Sequence, residues 1–472
     1  MNALREDKIN YANIGLMLIT AVLAYFFPFE TFLLAYAYLG PLHYLTEISW
    51  LHDRNYFSKG KYDFVVLLLV GILLSYAAFA KDFGVSVEVY DYFVKMNLFD
   101  KLLVFALFSA ILFALVKNLF VKIIAILFLF VFVSGWLSPD NATSNAESTT
   151  IFALTSLVPT LIHVYLFTGL FMLFGSLKTR SVSGMWQMVG FVVVPLLLVF
   201  AIPVDNKANI SQYGKKAYFA KNKEGNPDGF YTTNYSILRH FELFPTVTNK
   251  EYVKEYLNET SLFPDSMKYS IVLNNFYAKK EFKLTGNKYE DIIWSTNNDE
   301  AKPTQIVMDS LFKFYKQKTI TEYRAPYLKR INEPFVVENP NSELYGKKIT
   351  YAEMYPLTHR KNEDFIFSST IGIMLMRFIA FAYLYHYLNW FSKTEVIRWH
   401  KVPKIRFVAV VVLWIAASVF YTMDYSLGLS VLFFLSFTHV LLEFPLNIMS
   451  IVGIGKESIS IMKNGFKAPS AK

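Results

Sequence analysis

The chain has 472 residues, 54% of them apolar and 18% aromatic, with a mean hydropathy of +0.33. That is too oily for a soluble globule of this length and fits an integral membrane protein, so the formal charge of +9 marks membrane sidedness and not a nucleic acid partner. Cysteine is absent, which excludes disulfides, iron–sulfur clusters, thiolate haem ligation and cysteine nucleophiles, and leaves nitrogen and oxygen, with methionine thioether a weak third, as metal ligands.

The N-terminus carries charges before an apolar run but no small-residue cleavage site, so it reads as a retained first span. Apolar windows near the ~20 residues that cross ~30 Å of hydrocarbon then predict about ten transmembrane helices. They fall at 11–28, 32–51, 64–80, 102–116, 120–136, 151–174, 185–202, 367–391, 407–421 and 427–452. The fourth and fifth are short and separated only by KNLFVK. With the N-terminus in the cytoplasm, HDRNYFSKGKYD, KNLFVK, GSLKTRSVSG, SKTEVIRWHKVPKIR and the C-terminal tail all lie inside, and all are basic. The outside loops FPFE, 81–97 and 137–149 lean acidic or neutral, as the positive-inside rule expects.

The expected fold class is therefore an all-α polytopic membrane protein with an inserted extracytoplasmic α+β domain. Residues 1–202 supply helices 1–7, 203–364 the soluble domain, 365–455 helices 8–10, and 456–472 a cytoplasmic tail. The inserted segment is rich in Lys, Asn, Tyr, Glu and Thr. Within it YSIVLNNFYA and EDIIWST alternate as strands do, and PTQIVMDSLFKFYKQK is amphipathic at helical spacing. His240 and His359 have no ligand-like neighbours there and read as ordinary polar residues; Asn141 and Asn258 match the glycosylation tripeptide as accidents of sequence.

Four histidines interrupt separate apolar runs: His43 in GPLHYLTE, His163 in LIHVYLF, His386 in YLYHYLNW and His439 in FTHVLLEF. Ionisable groups in hydrocarbon are costly and mark function. Two of them, His43 and His439, are followed four residues later by Glu47 and Glu443 on the same helix face. All four spans run from outside to inside, so the four depths can coincide. One buried metal site is the economical reading, because neutral imidazole is the commonest metal ligand and the glutamates can ligate or fix a histidine tautomer. Such a donor set suits non-haem iron, with zinc or manganese as alternatives. His52 with Asp53 and Arg54 reads as a solvated helix end, and Arg377 as a charge buried in the outer part of its span that needs a partner.

In order, GPLHYLTE, LIHVYLF, YLYHYLNW and FTHVLLEF resemble the four histidine segments of the Brp/Blh family of membrane carotenoid oxygenases, iron enzymes that split β-carotene to retinal. The resemblance implies His43, His163, His386 and His439 as iron ligands, with Glu47 and Glu443 behind them in catalytic support. It covers about a quarter of the chain. Glutamate stands where that family carries aspartate, and Asn389 and Trp390 where it carries basic or histidine residues.

The functional expectation is a metal-dependent oxidoreductase or oxygenase of the inner (cytoplasmic) membrane, both termini cytoplasmic, acting on a hydrophobic substrate such as a carotenoid or other lipid. One alternative is a dinuclear-iron lipid desaturase or hydroxylase, with Glu47, His52 and Glu443 as direct ligands. Another is a transporter or sensor with a His/Glu proton relay. The sequence assigns no protein partner to the external domain.

Overall fold

The computed structural model describes residues 3–80, 84–138, 145–204, 210–218, 231–241, 243, 335–336, 348–349, 365–393, 401–423 and 425–466. The chain forms two compact units, Met1–His240 with Thr370–Lys472, and Phe241–Ser369.

The first unit is helical throughout its described residues. In order come α1 (Ala3–Phe26), α2 (Pro28–Leu34), a π-helical turn (Ala35–Leu39) and α3 (Gly40–His52), then α4 (Asp63–Ala78), α5 (Val87–Lys95), α6 (Leu98–Leu115) and α7 (Leu119–Trp136). There follow α8 (Asn145–Phe152), a long π-helical stretch (Ala153–Phe167), α9 (Thr168–Thr179), α10 (Val182–Leu196) and a second π turn (Leu197–Ala201). The short helices α11 (Gln212–Tyr218) and α12 (Tyr231–His240) lead out, and α13 (Thr370–Ser392), α14 (Lys404–Met423) and α15 (Tyr425–Asn464) complete the unit.

Eight of these helices are long and apolar enough to cross a membrane by length and composition. They contain eight of the ten expected spans. The other two are helical but outside that set: 28–52 is less apolar, carrying Glu30, His43 and Glu47, and α4 has 16 residues. Lipid explains why the pattern was readable, since a spanning helix must satisfy its own backbone and can expose apolar side chains all round. In α7, Leu127, Phe128, Phe130 and Val131 are all exposed on the protein surface.

Local chemistry sets several helix ends. Asn118 accepts from the Val121 N–H at 3.1 Å to open α7, and Ser181 accepts from the Gly184 N–H at 3.1 Å to open α10. The predicted cytoplasmic tail does not begin as loop: α15 runs on past Val452 to Asn464, where Arg180 reaches Glu457 at 2.9 Å and Ser460 at 3.2 Å.

The central helices are α13 and α15. α15 packs on α3, α4, α6, α9 and α14, while α13 packs on α1 and α2. A core of Leu67, Leu74, Leu103, Leu107, Phe113, Leu441 and Phe444 lies beside α15. Gly71 permits the close approach of α4, since a Cβ there would stand 3.0 Å from Thr438 Oγ1, one residue before His439. Arg377 finds its partners within the bundle, donating to the carbonyls of Ile202 at 3.2 Å and Pro203 at 3.3 Å, with its guanidinium 4.5 Å from the Tyr25 ring centre.

The boundary expected at residue 203 moves. α11 and α12 belong to the first unit, where Tyr218 donates to the Phe29 carbonyl at 3.3 Å and Asn234 contacts Met376 Sδ. In the second unit, two short strands, β1 (Phe335–Val336) and β2 (Lys348–Ile349), pair antiparallel with Phe335 opposite Ile349. The strands expected at 269–278 and 290–296, the helix at 303–318, Asn141, Asn258 and His359 lie outside the described residues.

Candidate metal centre

The four intramembrane histidines meet. His43 comes from α3, His163 from the π-helical stretch before α9, His386 from α13 and His439 from α15, and all are buried. His386 Nε2 lies 2.9 Å from His43 Nε2, and His163 Nε2 lies 3.1 Å from His439 Nε2. Ring centres of His43 and His439 are 5.4 Å apart, and those of His163 and His386 5.2 Å apart. Two overlapping triads, His43–His386–His439 and His163–His439–Glu443, bring their ligand atoms within 4.8 Å of one another.

The glutamates take different positions. Glu47 Oε2 is 3.0 Å from Nε2 of His43, the nitrogen that also faces His386, so it stands on the converging side of the ring. Glu443 does not serve His439 on its own helix. Its Oε2 reaches across to His163 Nδ1 at 3.3 Å, behind the nitrogen that faces His439. Neither contact has hydrogen-bond geometry, and both Oε2 atoms lack a hydrogen-bond partner, as do Nδ1 of His43, His163 and His439.

Charge decides what this cluster can do. Two carboxylates at most 3% exposed sit among imidazoles, and neither meets a lysine or arginine among the described ion pairs. A buried carboxylate must be protonated, paired or bound to a cation. A shared N–H accounts for each short imidazole pair alone but leaves the carboxylates uncompensated. A cation compensates both at once. Two atoms each ~2.1 Å from one ion stand about 3.0 Å apart at a right angle, which matches the observed 2.9 and 3.1 Å. The donor set therefore fits a metal ion, and these buried His/Glu groups can hold one.

Supporting contacts include residues that sequence reading missed. Thr168 Oγ1 lies 2.6 Å from His386 Nδ1, and because Thr168 Oγ1 also donates to the Val164 carbonyl at 2.9 Å, it is left to accept from Nδ1–H. That fixes the tautomer with Nε2 free for the cluster. Thr168 follows His163 by five residues, a spacing out of phase on an α-helix but in phase with the i→i+5 winding of a π-helix. Tyr44 stacks on His439 at 4.1 Å and shares a 2.7 Å hydrogen bond with Tyr387. Trp390 donates to Thr46 at 3.0 Å, and Thr46 to the His43 carbonyl at 2.9 Å, which ties α13 to α3.

His52 is outside the cluster. It is exposed, with Nδ1 3.5 Å from the Tyr56 hydroxyl, and belongs to neither triad. The neighbouring Asp53 meets Arg406 at 2.7 and 2.8 Å, and that guanidinium holds its carboxyl below the usual range. His240 stacks on Phe152 at 3.9 Å.

A cavity of about 460 Å³ starts at His43, Glu47, His386 and Glu443 and continues to Lys178 and Thr179 at the exposed end of α9. Comparison with protein-family models, curated proteins and solved structures finds no match to this chain.

Proposed function

We propose that the protein is a membrane-embedded, metal-dependent oxidoreductase whose non-haem iron acts on a hydrophobic, membrane-dissolved substrate such as a carotenoid or other lipid. The observation that supports it best is the buried cluster of four imidazoles and two uncompensated carboxylates, with thiolate absent from the chain. Nitrogen and oxygen donors in this mixture favour iron over softer metals, with zinc and manganese behind it. Bound iron would supply the electron and O₂ chemistry that these side chains lack.

The remaining work falls to the protein. His43, His163, His386 and His439 would hold the ion. Glu443 places its charge 3.3 Å from Nδ1 of His163, and Thr168 fixes the tautomer of His386 by a hydrogen bond. Glu47, on the converging side of His43, is placed to reach the ion itself or to hold a proton on its own carboxylate for a group bound there. Burial of the whole cluster excludes bulk water and strengthens each of these interactions.

In this reading the protein sits in the cytoplasmic membrane with both termini in the cytoplasm and ten spans; residues 203–364 lie outside, α11 and α12 as part of the helical unit and the remainder as an α+β domain. The two triads sharing His439 favour one competing reading, a dinuclear lipid desaturase or hydroxylase, without His52 as a ligand.

Elemental analysis of detergent-purified protein tests the proposal. One iron per chain is expected, with separate alanine substitutions of the four histidines each lowering it while His240→Ala does not. Two irons per chain would select the dinuclear reading. Protein that stays metal-free under iron-replete growth, with the four variants indistinguishable from His240→Ala, would return the cluster to a proton relay.

A further inference from the structure

The cavity that ends at the histidines is not apolar from end to end, and its charged groups are not distributed evenly. Its deep end is walled by His43, Glu47, His386 and Glu443, and its middle by rings and thioether such as Trp50, Phe171 and Met172. At the outer end stand Lys178, which is exposed, and Lys393, which follows the last turn of α13. Glu6 lies there too, but it accepts a 2.7 Å hydrogen bond from Thr179, and the mouth keeps a net positive charge. Among the described residues neither lysine ammonium has an ion-pair partner. The ammonium of Lys178 lies 5.6 Å from the ring centre of Phe174, which also lines the cavity.

A substrate apolar at both ends, such as a carotenoid hydrocarbon, makes no use of two ammonium groups at the entrance. Such a molecule would also have to shed no headgroup hydration there, so lysines would add only a desolvation cost. An amphiphile uses every part of the wall: its anion meets the lysines, its chain lies along Trp50 and Met172, and its far carbons arrive at the cluster. His386 and Lys393 are on one helix, so the spacing between head and reaction point can be estimated. Seven residues at ~1.5 Å each give about 10 Å along the axis.

Resting on the metal-centre reading above, we infer that the cavity binds a single-chain anionic amphiphile, headgroup toward Lys178 and Lys393, and presents a carbon well inside its chain to the histidine cluster. The head is a carboxylate or a phosphate monoester, since two lysines, Lys178 exposed and Lys393 half-buried, recognise charge and not shape. A volume near 460 Å³ is in the range of sites for one small ligand.

Trp50 and Trp390 both line the cavity with ring centres 5.5 Å apart, which provides a binding signal that requires no turnover. Chain-brominated fatty acid, its methyl ester, and a chain-brominated lysophosphatidic acid would be titrated into the purified, full-length protein. Tryptophan quenching is then measured, and metal content is determined on the same samples. The acid or the phosphate is expected to bind at least about tenfold more tightly than the neutral ester, as the loss of one charge-assisted contact dictates. Lys178→Met and Lys393→Met should each erase most of that preference while metal content stays at the wild-type value. Trp50→Phe together with Trp390→Phe should remove most of the quenching. Acid preferred over phosphate, or the reverse, identifies the head and supports the inference either way. Ester bound as tightly as acid, with lysine variants unchanged, overturns it and leaves the metal centre untouched. Intact acid preference in protein that never carries metal supports the headgroup site while removing the chemistry assigned to its far end.

Discussion

Replacing Glu443 by glutamine removes one of two buried carboxylate charges and keeps the shape of the side chain. The carboxylate is 2% exposed, 3.3 Å from His163 Nδ1, and its Oε2 has no hydrogen-bond partner, so its charge has little to rest on except a cation. Two effects of opposite sign follow. In the metal-loaded protein the variant loses the negative charge behind His163, and such losses cost about 10 to 100-fold in metal affinity, or ~1.4–2.7 kcal/mol. In the metal-free protein the same change removes a buried charge, which is itself a liability. Metal-free Glu443→Gln should therefore unfold at no lower a temperature than metal-free wild type, while stabilisation by added iron shrinks by about 1.4–2.7 kcal/mol. Thermal unfolding in detergent across an iron titration, with elemental analysis of dialysed samples, separates the two. Lower stability in both forms with undiminished metal retention would refute the charge argument and make Glu443 a packing residue. Complete loss of metal would instead make it a direct ligand.

Lys122 and Asp63 form a 2.5 Å ion pair at 3% and 10% exposure, so Lys122→Met alone should destabilise the bundle by about 3–5 kcal/mol, and adding Asp63→Asn should recover most of it; equal melting of single and double variants would show that the pair is not coupled. Arg377→Lys cannot bridge the Ile202 and Pro203 carbonyls while covering Tyr25, and should cost about 1–3 kcal/mol in the same assay. Reporter fusions after Lys178 and after Lys472 should report cytoplasm, and one inserted between Thr285 and Asn298 the outside; opposite labelling at any of these positions would reverse the proposed orientation.

Much of the bundle was legible because lipid imposes a blunt rule: a spanning segment must be long, apolar and self-satisfied in its backbone. The short α4 and the segment 28–52, whose apolar run is diluted by Glu30, His43 and Glu47, are where that rule loses resolution. The histidines were legible for the same reason, since each stands out against a run of Leu, Phe and Val. Glu47 was legible both as a neighbour and as a partner of His43, Glu443 only as a neighbour. Spacing placed Glu443 beside His439, yet only the packing of α15 against the π-helical stretch turns it to His163. Thr168 was hidden by the assumption of α-helical winding. The boundary at residue 203 followed a change in composition, whereas Tyr218 and Asn234 show polar-flanked segments still packing on the bundle.

The four histidines are also separated in time. His386 follows His43 by 343 residues and His439 follows His163 by 276, so at about 5–20 residues per second the ribosome needs roughly 20 to 70 s between the first pair alone. For that interval His43 and Glu47 wait in the bilayer without the helices that complete their surroundings. Of those helices α15 is the last in chain order, and it brings His439 and Glu443 together. Without it neither triad forms. Metal content can thus serve as a readout of α15 insertion.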